Sequence, residues 1–180
     1  MTDIQIKYRT GIRRFVAAIV DGMIFIPLAF IDSFTRLHFL NNEFILLLWV
    51  ALVTALPICY SVLMHFKYGQ TLGKMLADVK VVSLSETTNL SFKQALLRDS
   101  FYIIVELFAL IYFSLHLIQV QEVLPKMQLL DEFDNFGSSV AGVWVLLELI
   151  SMLANNKRRA IHDFIAGSVV IKREYVTQTI

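Results

Sequence analysis

Three carboxylates, Asp21, Glu106 and Glu148, stand inside stretches of the chain that otherwise carry almost no charge. An acid at the centre of a membrane helix costs about 2.5–3.5 kcal/mol on insertion scales, so it faces a protein interior or a wet cavity rather than lipid. A carboxylate held in such a place exchanges protons and attracts cations. The sequence therefore predicts a candidate proton or cation site made of these three residues.

An internal network of ion pairs is the alternative role for the same acids. Arg14 lies two helical turns before Asp21, which is about 10 Å along a helix axis, so we expect Asp21 to pair with a base from another segment. All three acids lie about 10–13 Å inside the cytoplasmic boundary by the same rise per residue. Whether they meet depends on helix rotation, and the sequence leaves both roles open.

The stretches that hold these acids are long enough to cross a membrane. Hydrophobic residues make up 57% of the 180 residues, charged residues 17%, and the mean hydropathy is +0.64. A soluble domain has roughly 45–50% apolar and about 25% charged residues. A crossing needs about 20 predominantly apolar residues. We predict an all-α membrane protein with four transmembrane helices, at residues 15–31, 44–66, 100–121 and 136–155.

The distribution of basic residues predicts the orientation of these spans. Of the 16 Lys and Arg residues, all but Arg36 and Lys126 lie in the N-terminal segment, the second connection or the C-terminal segment. Cytoplasmic loops carry an excess of Lys and Arg. We therefore predict a multi-pass membrane protein with both termini in the cytoplasm, and with cytoplasmic elements at residues 67–98 and 156–180.

The cytoplasmic segments show signs of secondary structure. Thr71 is a helix cap, and we predict a short amphipathic helix from it through Asp78 that lies on the membrane with Lys74 near the surface. The β-branched segments Val79–Ser83 and Ser168–Lys172 are expected to pair as a small two-stranded cytoplasmic sheet. Ser91 is expected to cap the next helix. The acidic residues 131–134 are expected to form an outer loop.

Several other kinds of site are disfavoured. The single cysteine, Cys59, excludes a disulfide scaffold and any site with several cysteine ligands, and the net charge of +1 gives no basic field for nucleic acid. The histidines, His65 among them, are expected to be packing residues rather than metal ligands. No arrangement typical of nucleophilic catalysis, metal binding or nucleotide binding is found, so we predict no enzyme activity, cofactor or metal; an intramembrane acid-based reaction is left open.

Four motifs, in order along the chain, resemble the RDD family of small bacterial membrane proteins. The first helix opens with Arg14 and carries Asp21, and Arg98 stands where the family commonly has an arginine. The middle signature is similar to Gly69-Gln70-Thr71-Leu72-Gly73-Lys74, and the closing one to residues 159–170, where Ser168 replaces the usual threonine. The resemblance runs from Arg14 to about Arg173, and it implies one membrane domain over residues 1–180 in the bacterial inner membrane. The motif network that it implies consists of Arg14, Asp21, Arg98, His162 and Asp163, with Gly69, Thr71, Gly73 and Lys74 as the loop motif.

The resemblance implies two functions of different kinds. Transport is one, including exchange of cations for protons, and it would use Asp21 with Glu106 or Glu148. Because four helices leave little room for a pathway, this function predicts a homodimer in the lipid bilayer. The other is a non-enzymatic accessory or scaffold subunit of a larger membrane complex. In that case the arginines and aspartates of the motif would hold the cytoplasmic elements onto the helices.

Overall fold

The computed structural model describes residues 6–120 and 122–176, and its elements are mostly helical. Position 121, the predicted end of the third span, and the outermost residues of the predicted domain, 1–5 and 177–180, lie outside the described residues. The elements in chain order are α1 Gly11–Ile24, α2 Ile26–Phe39, α3 Glu43–Tyr68, α4 Leu72–Leu76, β1 Val79–Ser83, α5 Phe92–Arg98, α6 Ser100–Leu117, α7 Val123–Leu153, α8 Ile161–Ile165, β2 Ser168–Lys172 and a 3₁₀ turn at Arg173–Tyr175.

Three helices, α3, α6 and α7, are long and apolar enough to cross a membrane. A fourth crossing exists if α1 and α2 together form one span. The helix is interrupted between α1 and α2 at Phe25, whereas we predicted one uninterrupted span over residues 15–31. Pro27 explains the break, because it stands in the first turn of α2 and has no N–H to continue the hydrogen bonds of a preceding helix.

The acidic residues 131–134 form part of α7, so the prediction of an outer loop there was wrong. Leu129, Leu130 and Phe133 are buried at helical spacing, and this apolar stripe holds the segment in the helix. The carboxylate of Asp134 also has a partner, because it lies 2.8 Å from Nη1 of Arg36. Burial of the neighbouring apolar residues therefore determines that this segment is helical, and its acidic side chains do not prevent it.

The described chain falls into two compact units. The first consists of Met1–Ile24, Cys59–Ser100 and Val145–Ile180, and it contains the two-stranded sheet. The strands β1 and β2 pair antiparallel, from Val79 opposite Lys172 to Ser83 opposite Ser168, as predicted. Both faces of the sheet are covered: one by a cluster that includes Ala17 and Leu90, the other by a cluster that includes Tyr8.

The two helices of the long connection in the first unit begin where the sequence predicts. Thr71 caps α4 by accepting a hydrogen bond from the backbone N–H of Lys74, although the helix ends at Leu76 rather than at Asp78. Ser91 caps α5 in a capping box with Gln94, in which each side chain satisfies a backbone N–H of the other residue. These local signals were sufficient because a cap depends only on neighbours within one turn.

The second unit consists of Phe25–Ile58 and Phe101–Trp144. Its core is a buried apolar cluster that includes Leu46, Val50 and Phe113. The two basic residues outside the three basic segments are both paired within this unit: Arg36 with Asp32 and Asp134, each at 2.8 Å, and Lys126 with Glu43 at 2.9 Å. The pairs Arg36–Asp134 and Lys126–Glu43 join different helices of the unit through charge, in addition to its apolar packing.

Candidate functional site

The centre of the first unit is the carboxylate of Asp163, which is 0% exposed. Oδ2 accepts a hydrogen bond of 2.8 Å from Nη1 of Arg14, and Oδ1 accepts one from Nη1 of Arg98. The backbone N–H of Ala160 (3.0 Å) and the hydroxyl of Ser168 (3.1 Å) donate to the same carboxylate. Two arginines from α1 and α5 thus meet one aspartate on α8, an arrangement that we call the Asp163 clamp.

Electrostatics keeps the Asp163 clamp ionised. Burial acts to raise the pKa of Asp163, but the charges of Arg98 and Arg14 outweigh it and hold that pKa well below its ordinary value. Removing one partner of a buried ion pair costs about 3–5 kcal/mol, because the other charge is left without compensation. The clamp therefore fixes α8, and the strand β2 that follows it, against α1 and α5.

His162 connects the Asp163 clamp to one of the intramembrane acids. Its Nε2 lies 2.6 Å from Nη2 of Arg98, and its Nδ1 contacts Oε1 of Glu148. Burial and the charge of Arg98 lower the pKa of His162, although Asp163 and Glu148 act in the opposite direction. A neutral ring that accepts from Arg98 at Nε2 donates its Nδ1 proton to Glu148. Glu148 is therefore held by this hydrogen bond.

Asp21 on α1 lies in a cradle of neutral donors. Its Oδ1 accepts from the hydroxyl of Tyr60 and from the backbone N–H of Gly73, both at 2.9 Å. Its Oδ2 accepts from the hydroxyl of Thr71 at 2.6 Å. No basic side chain of the described chain comes within 4.0 Å of this carboxylate, so the expected pairing of Asp21 with a base was wrong. Thr71 and Gly73 bind this carboxylate instead.

Gly73 is required for this approach of α4 to α1. A Cβ at this position would overlap the carbonyl oxygen of Ala17 and lie 2.8 Å from Cγ of Asp21. Gly69, the other glycine of the loop motif, has a backbone φ of 68°. A Cβ added there would lie 2.7 Å from the carbonyl oxygen of Val81. Gly69 adopts a left-handed conformation that favours glycine, and this turns the chain out of α3.

Lys74 turns inward from α4, which corrects the expectation that it lies near the surface. Its Nζ lies 2.8 Å from Nε2 of His65, a residue on α3 that is 2% exposed. Burial and the charge of Arg98 lower the pKa of Lys74 to about 7, although the carboxylates of Asp21 and Asp99 act in the opposite direction. Such a lysine changes its charge close to neutral pH, unlike a lysine in water.

A model of the RDD family matches residues 8–167, which is most of the chain. The chain belongs to the RDD family. No curated protein and no solved structure matches it. Membership in this family and the long apolar helices indicate a membrane protein.

The structure of this RDD protein brings most of the predicted motif residues together. Arg14, Arg98, His162 and Asp163 form one hydrogen-bonded network, and Glu148 joins it through His162. The loop motif lies beside Asp21, with Thr71 and Gly73 in direct contact with it.

The three acids proposed as a site occupy different surroundings in the RDD protein. Asp21 and Glu148 belong to the first unit but bind different partners, and Glu106 belongs to the second unit. A Cβ added at Gly137 would lie 3.9 Å from Oε1 of Glu106, so this carboxylate is near Gly137 on α7. It makes no hydrogen bond to the described residues. The described residues also contain no His, Cys, Asp and Glu cluster suited to a metal ion.

Three side chains of the site had no part in the sequence analysis: Tyr60, Ser61 and Asp99. The hydroxyl of Ser61 donates to Oδ2 of Asp99 at 2.8 Å and lies 3.2 Å from Nδ1 of His65. The sequence held one sign of this, because Ser61 and His65 are four residues apart and so share a face of α3. It gave no sign that Asp99 lies opposite that face, since this depends on how α3 and α5 pack.

Proposed function

We propose that this RDD protein exchanges a small cation for protons across the bacterial inner membrane, with both termini in the cytoplasm, and that Asp21 is its cation site. The observation that carries the proposal is a carboxylate on a membrane-helix segment whose hydrogen-bond partners in the described chain are all neutral. Acids in membrane segments are costly and mark ion or proton pathways when no base neutralises them. No catalytic group is assigned, and a homodimer in the lipid bilayer gives the pathway its width.

The chemistry around Asp21 suits a small hard cation. The hydroxyl oxygen of Tyr60 lies 2.9 Å from Oδ1 of Asp21, and that of Thr71 lies 2.6 Å from Oδ2. Oxygen ligands of this kind are preferred by hard cations. A hydroxyl that donates to the carboxylate can rotate and present a lone pair to a cation. A proton on Asp21 removes the charge that attracts the cation, so the two ligands compete.

The proposal is tested by ion flux in proteoliposomes that contain the full chain. We expect Asp21→Asn to abolish cation-dependent proton movement, because the amide keeps the size of the side chain and removes its charge. Glu106→Gln is the matched control: it removes an acid from another helix, and we expect it to retain flux. Flux that continues unchanged in Asp21→Asn would exclude Asp21 as the site.

The Asp163 clamp favours a second candidate, the accessory subunit. Both arginines of the motif are used to bind Asp163, and Glu148 is bound to His162, which is what a role in holding the cytoplasmic elements requires. The same preparations separate the two functions. A wild-type chain that gives no flux but retains a defined membrane-protein partner in mild detergent supports the accessory role and contradicts transport.

A further inference from the structure

Four side chains of the first unit form a continuous hydrogen-bonded chain. Nζ of Lys74 lies 2.8 Å from Nε2 of His65, and Nδ1 of the same ring lies 3.2 Å from Oγ of Ser61. The hydroxyl of Ser61 donates to Oδ2 of Asp99 at 2.8 Å. His65 is buried in the middle of this chain, whereas Lys74 and Asp99 at its two ends are only partly buried.

We propose that Lys74, His65, Ser61 and Asp99 form a proton path, along which a proton passes between the amine of Lys74 and the carboxylate of Asp99. The directions of the hydrogen bonds agree with this transfer. A charged Lys74 donates to Nε2, a neutral ring donates from Nδ1 to Ser61, and Ser61 donates to the ionised Asp99. Each donor along the path points toward Asp99.

The transfer moves three protons, each along one hydrogen bond, and the first of them leaves Lys74. Nε2 of His65 takes the Lys74 proton, Nδ1 gives its proton to Oγ of Ser61, and Ser61 gives its own to Oδ2 of Asp99. Lys74 becomes a neutral amine, Asp99 becomes a neutral acid, and Ser61 keeps a hydroxyl. The ring stays neutral but changes from the Nδ1–H to the Nε2–H form. The hydrogen bonds then run in the opposite direction, and no bond other than N–H and O–H bonds changes.

The surroundings bring the two end states closer in energy than the same two groups would be in water. The transfer turns an ammonium and a carboxylate into two neutral groups, and burial favours neutral forms. Burial lowers the pKa of Lys74 to about 7, and it raises that of Asp99 although Ser61, Arg98 and Lys74 oppose the rise. The charged and titratable groups that face the path come from four elements: Asp21 and Arg14 on α1, His65 on α3, Arg98 on α5 and His162 on α8.

The path would supply the proposed exchange with its proton carrier, so its role in the membrane rests on that function. The proton transfer itself does not depend on the proposed function, because it takes place within the protein at equilibrium and without an ion gradient. It can therefore be measured on a preparation that carries no flux, and failure of one proposal leaves the other open to its own test.

The test is nuclear magnetic resonance on the full chain in lipid bilayers, with ¹⁵N in histidine and lysine and ¹³C in the aspartate carboxyl groups. The probe is the proton itself, varied over a pH range that brackets neutrality. We expect His65 to populate both neutral ring forms, with the Nε2–H form appearing in the same proportion as protonated Asp99. One ring form at every pH, beside a charged Lys74 and an ionised Asp99, overturns the proposal.

Substitutions at Ser61 separate a path from static packing. Ser61→Ala interrupts the path without changing a charge, and we expect loss of the Nε2–H ring form. Ser61→Thr keeps the hydroxyl and restores that form. Ser151→Ala is the matched control, since Ser151 donates to the carbonyl oxygen of Glu148 in its own helix and lies outside the path. If Ser61→Ala keeps both ring forms, the proton does not pass through Ser61 and the proposal is wrong.

Discussion

At the scale of single residues, the close approach of α4 to α1 depends on a position without a side chain. Gly73 donates its backbone N–H to Asp21, and a Cβ there would meet the backbone of Ala17 as well as the carboxylate. Backbone atoms of a helix cannot move away as the end of a flexible side chain can. The family's middle motif therefore includes this glycine for space, in addition to any role in flexibility.

We predict that Gly73→Ala destabilises the protein by about 1–3 kcal/mol, the usual cost of inserting a methyl group into a filled space. Gly22→Ala is the control, because Gly22 lies in α1 with nothing within 4 Å of its added Cβ. Alanine favours a helix over glycine by up to about 1 kcal/mol, so Gly22→Ala should keep or raise stability. Thermal unfolding in detergent measures both. Equal melting temperatures for Gly73→Ala and wild type would show that the approach relaxes freely.

The acidic residues of this chain also differ in the groups that compensate their charge. Asp163 is compensated by two arginines, Asp21 by neutral donors, and Glu106 by no hydrogen bond to a described residue. The first arrangement holds an ionised group in place permanently. The second leaves a carboxylate that no basic side chain binds directly, which is why the proposed function is assigned to Asp21.

At the scale of elements, the turn after β1 is joined to two distant segments through Glu86. Its carboxylate accepts a hydrogen bond of 2.5 Å from Tyr8 and lies 2.6 Å from Nζ of Lys7 and 2.8 Å from Nζ of Lys157. Its backbone φ is 63°, a left-handed conformation that a residue with a side chain seldom adopts. The three contacts stabilise this conformation and connect the turn to the segments before α1 and after α7.

These contacts predict how stability depends on pH. Burial acts to raise the pKa of Glu86, but the hydrogen bonds from Lys157, Lys7 and Tyr8 lower it from 4.5 to about 2. A carboxylate with a lowered pKa stabilises the folded state above its unfolded pKa, and this stability is lost as the pH falls through the folded pKa. The contribution of Glu86 is therefore complete above about pH 5 and is lost as the pH falls through about 2.

We expect Glu86→Gln to lower the melting temperature at neutral pH and the difference from wild type to disappear as the pH falls toward about 2. Glu122→Gln provides the comparison, since Glu122 is exposed and exposed substitutions usually change stability by less than about 0.5 kcal/mol. Melting curves of the three proteins over a pH series give the answer. A deficit of Glu86→Gln that stays constant with pH would mean that charge on Glu86 contributes nothing.

At the scale of the whole molecule, the uneven distribution of basic residues predicts the topology. Arg36 and Lys126, the two bases outside the three basic segments, are both neutralised by acids of the second unit. We expect the remaining bases to hold the N-terminal, second-connection and C-terminal segments in the cytoplasm. In this predicted orientation the sheet, the Asp163 clamp and the proposed proton path lie on the cytoplasmic side.

We predict that a fluorescent protein fused after Ile180 is bright and that a phosphatase active only outside the cytoplasm is inactive at the same point. Fusions at Asn41, in the connection between α2 and α3, should give the reverse pattern. Both reporters are measured in intact bacterial cells. Phosphatase activity at the C-terminal fusion would place that end outside and would contradict the orientation.

The sequence by itself determined the features that depend on nearby residues. The long apolar stretches, the caps at Thr71 and Ser91, and the two β-branched strands were all predictable, because each depends on composition or on contacts within one turn. The resemblance to the family also identified Arg14, Arg98 and Asp163, which the structure brings together. The break at Phe25 was readable from Pro27, although the sequence analysis overlooked it.

Only the tertiary structure decided which side chains meet. Whether Lys74 points to water or to His65 depends on the packing of α4 against α3, and the pairing of Glu148 with His162 depends on how α8 packs beside α7. A helix rotated by one residue turns its side chains by about 100°, so spacing along the chain cannot specify these contacts. The three acids looked equivalent in sequence for this reason, and packing gave each of them different partners.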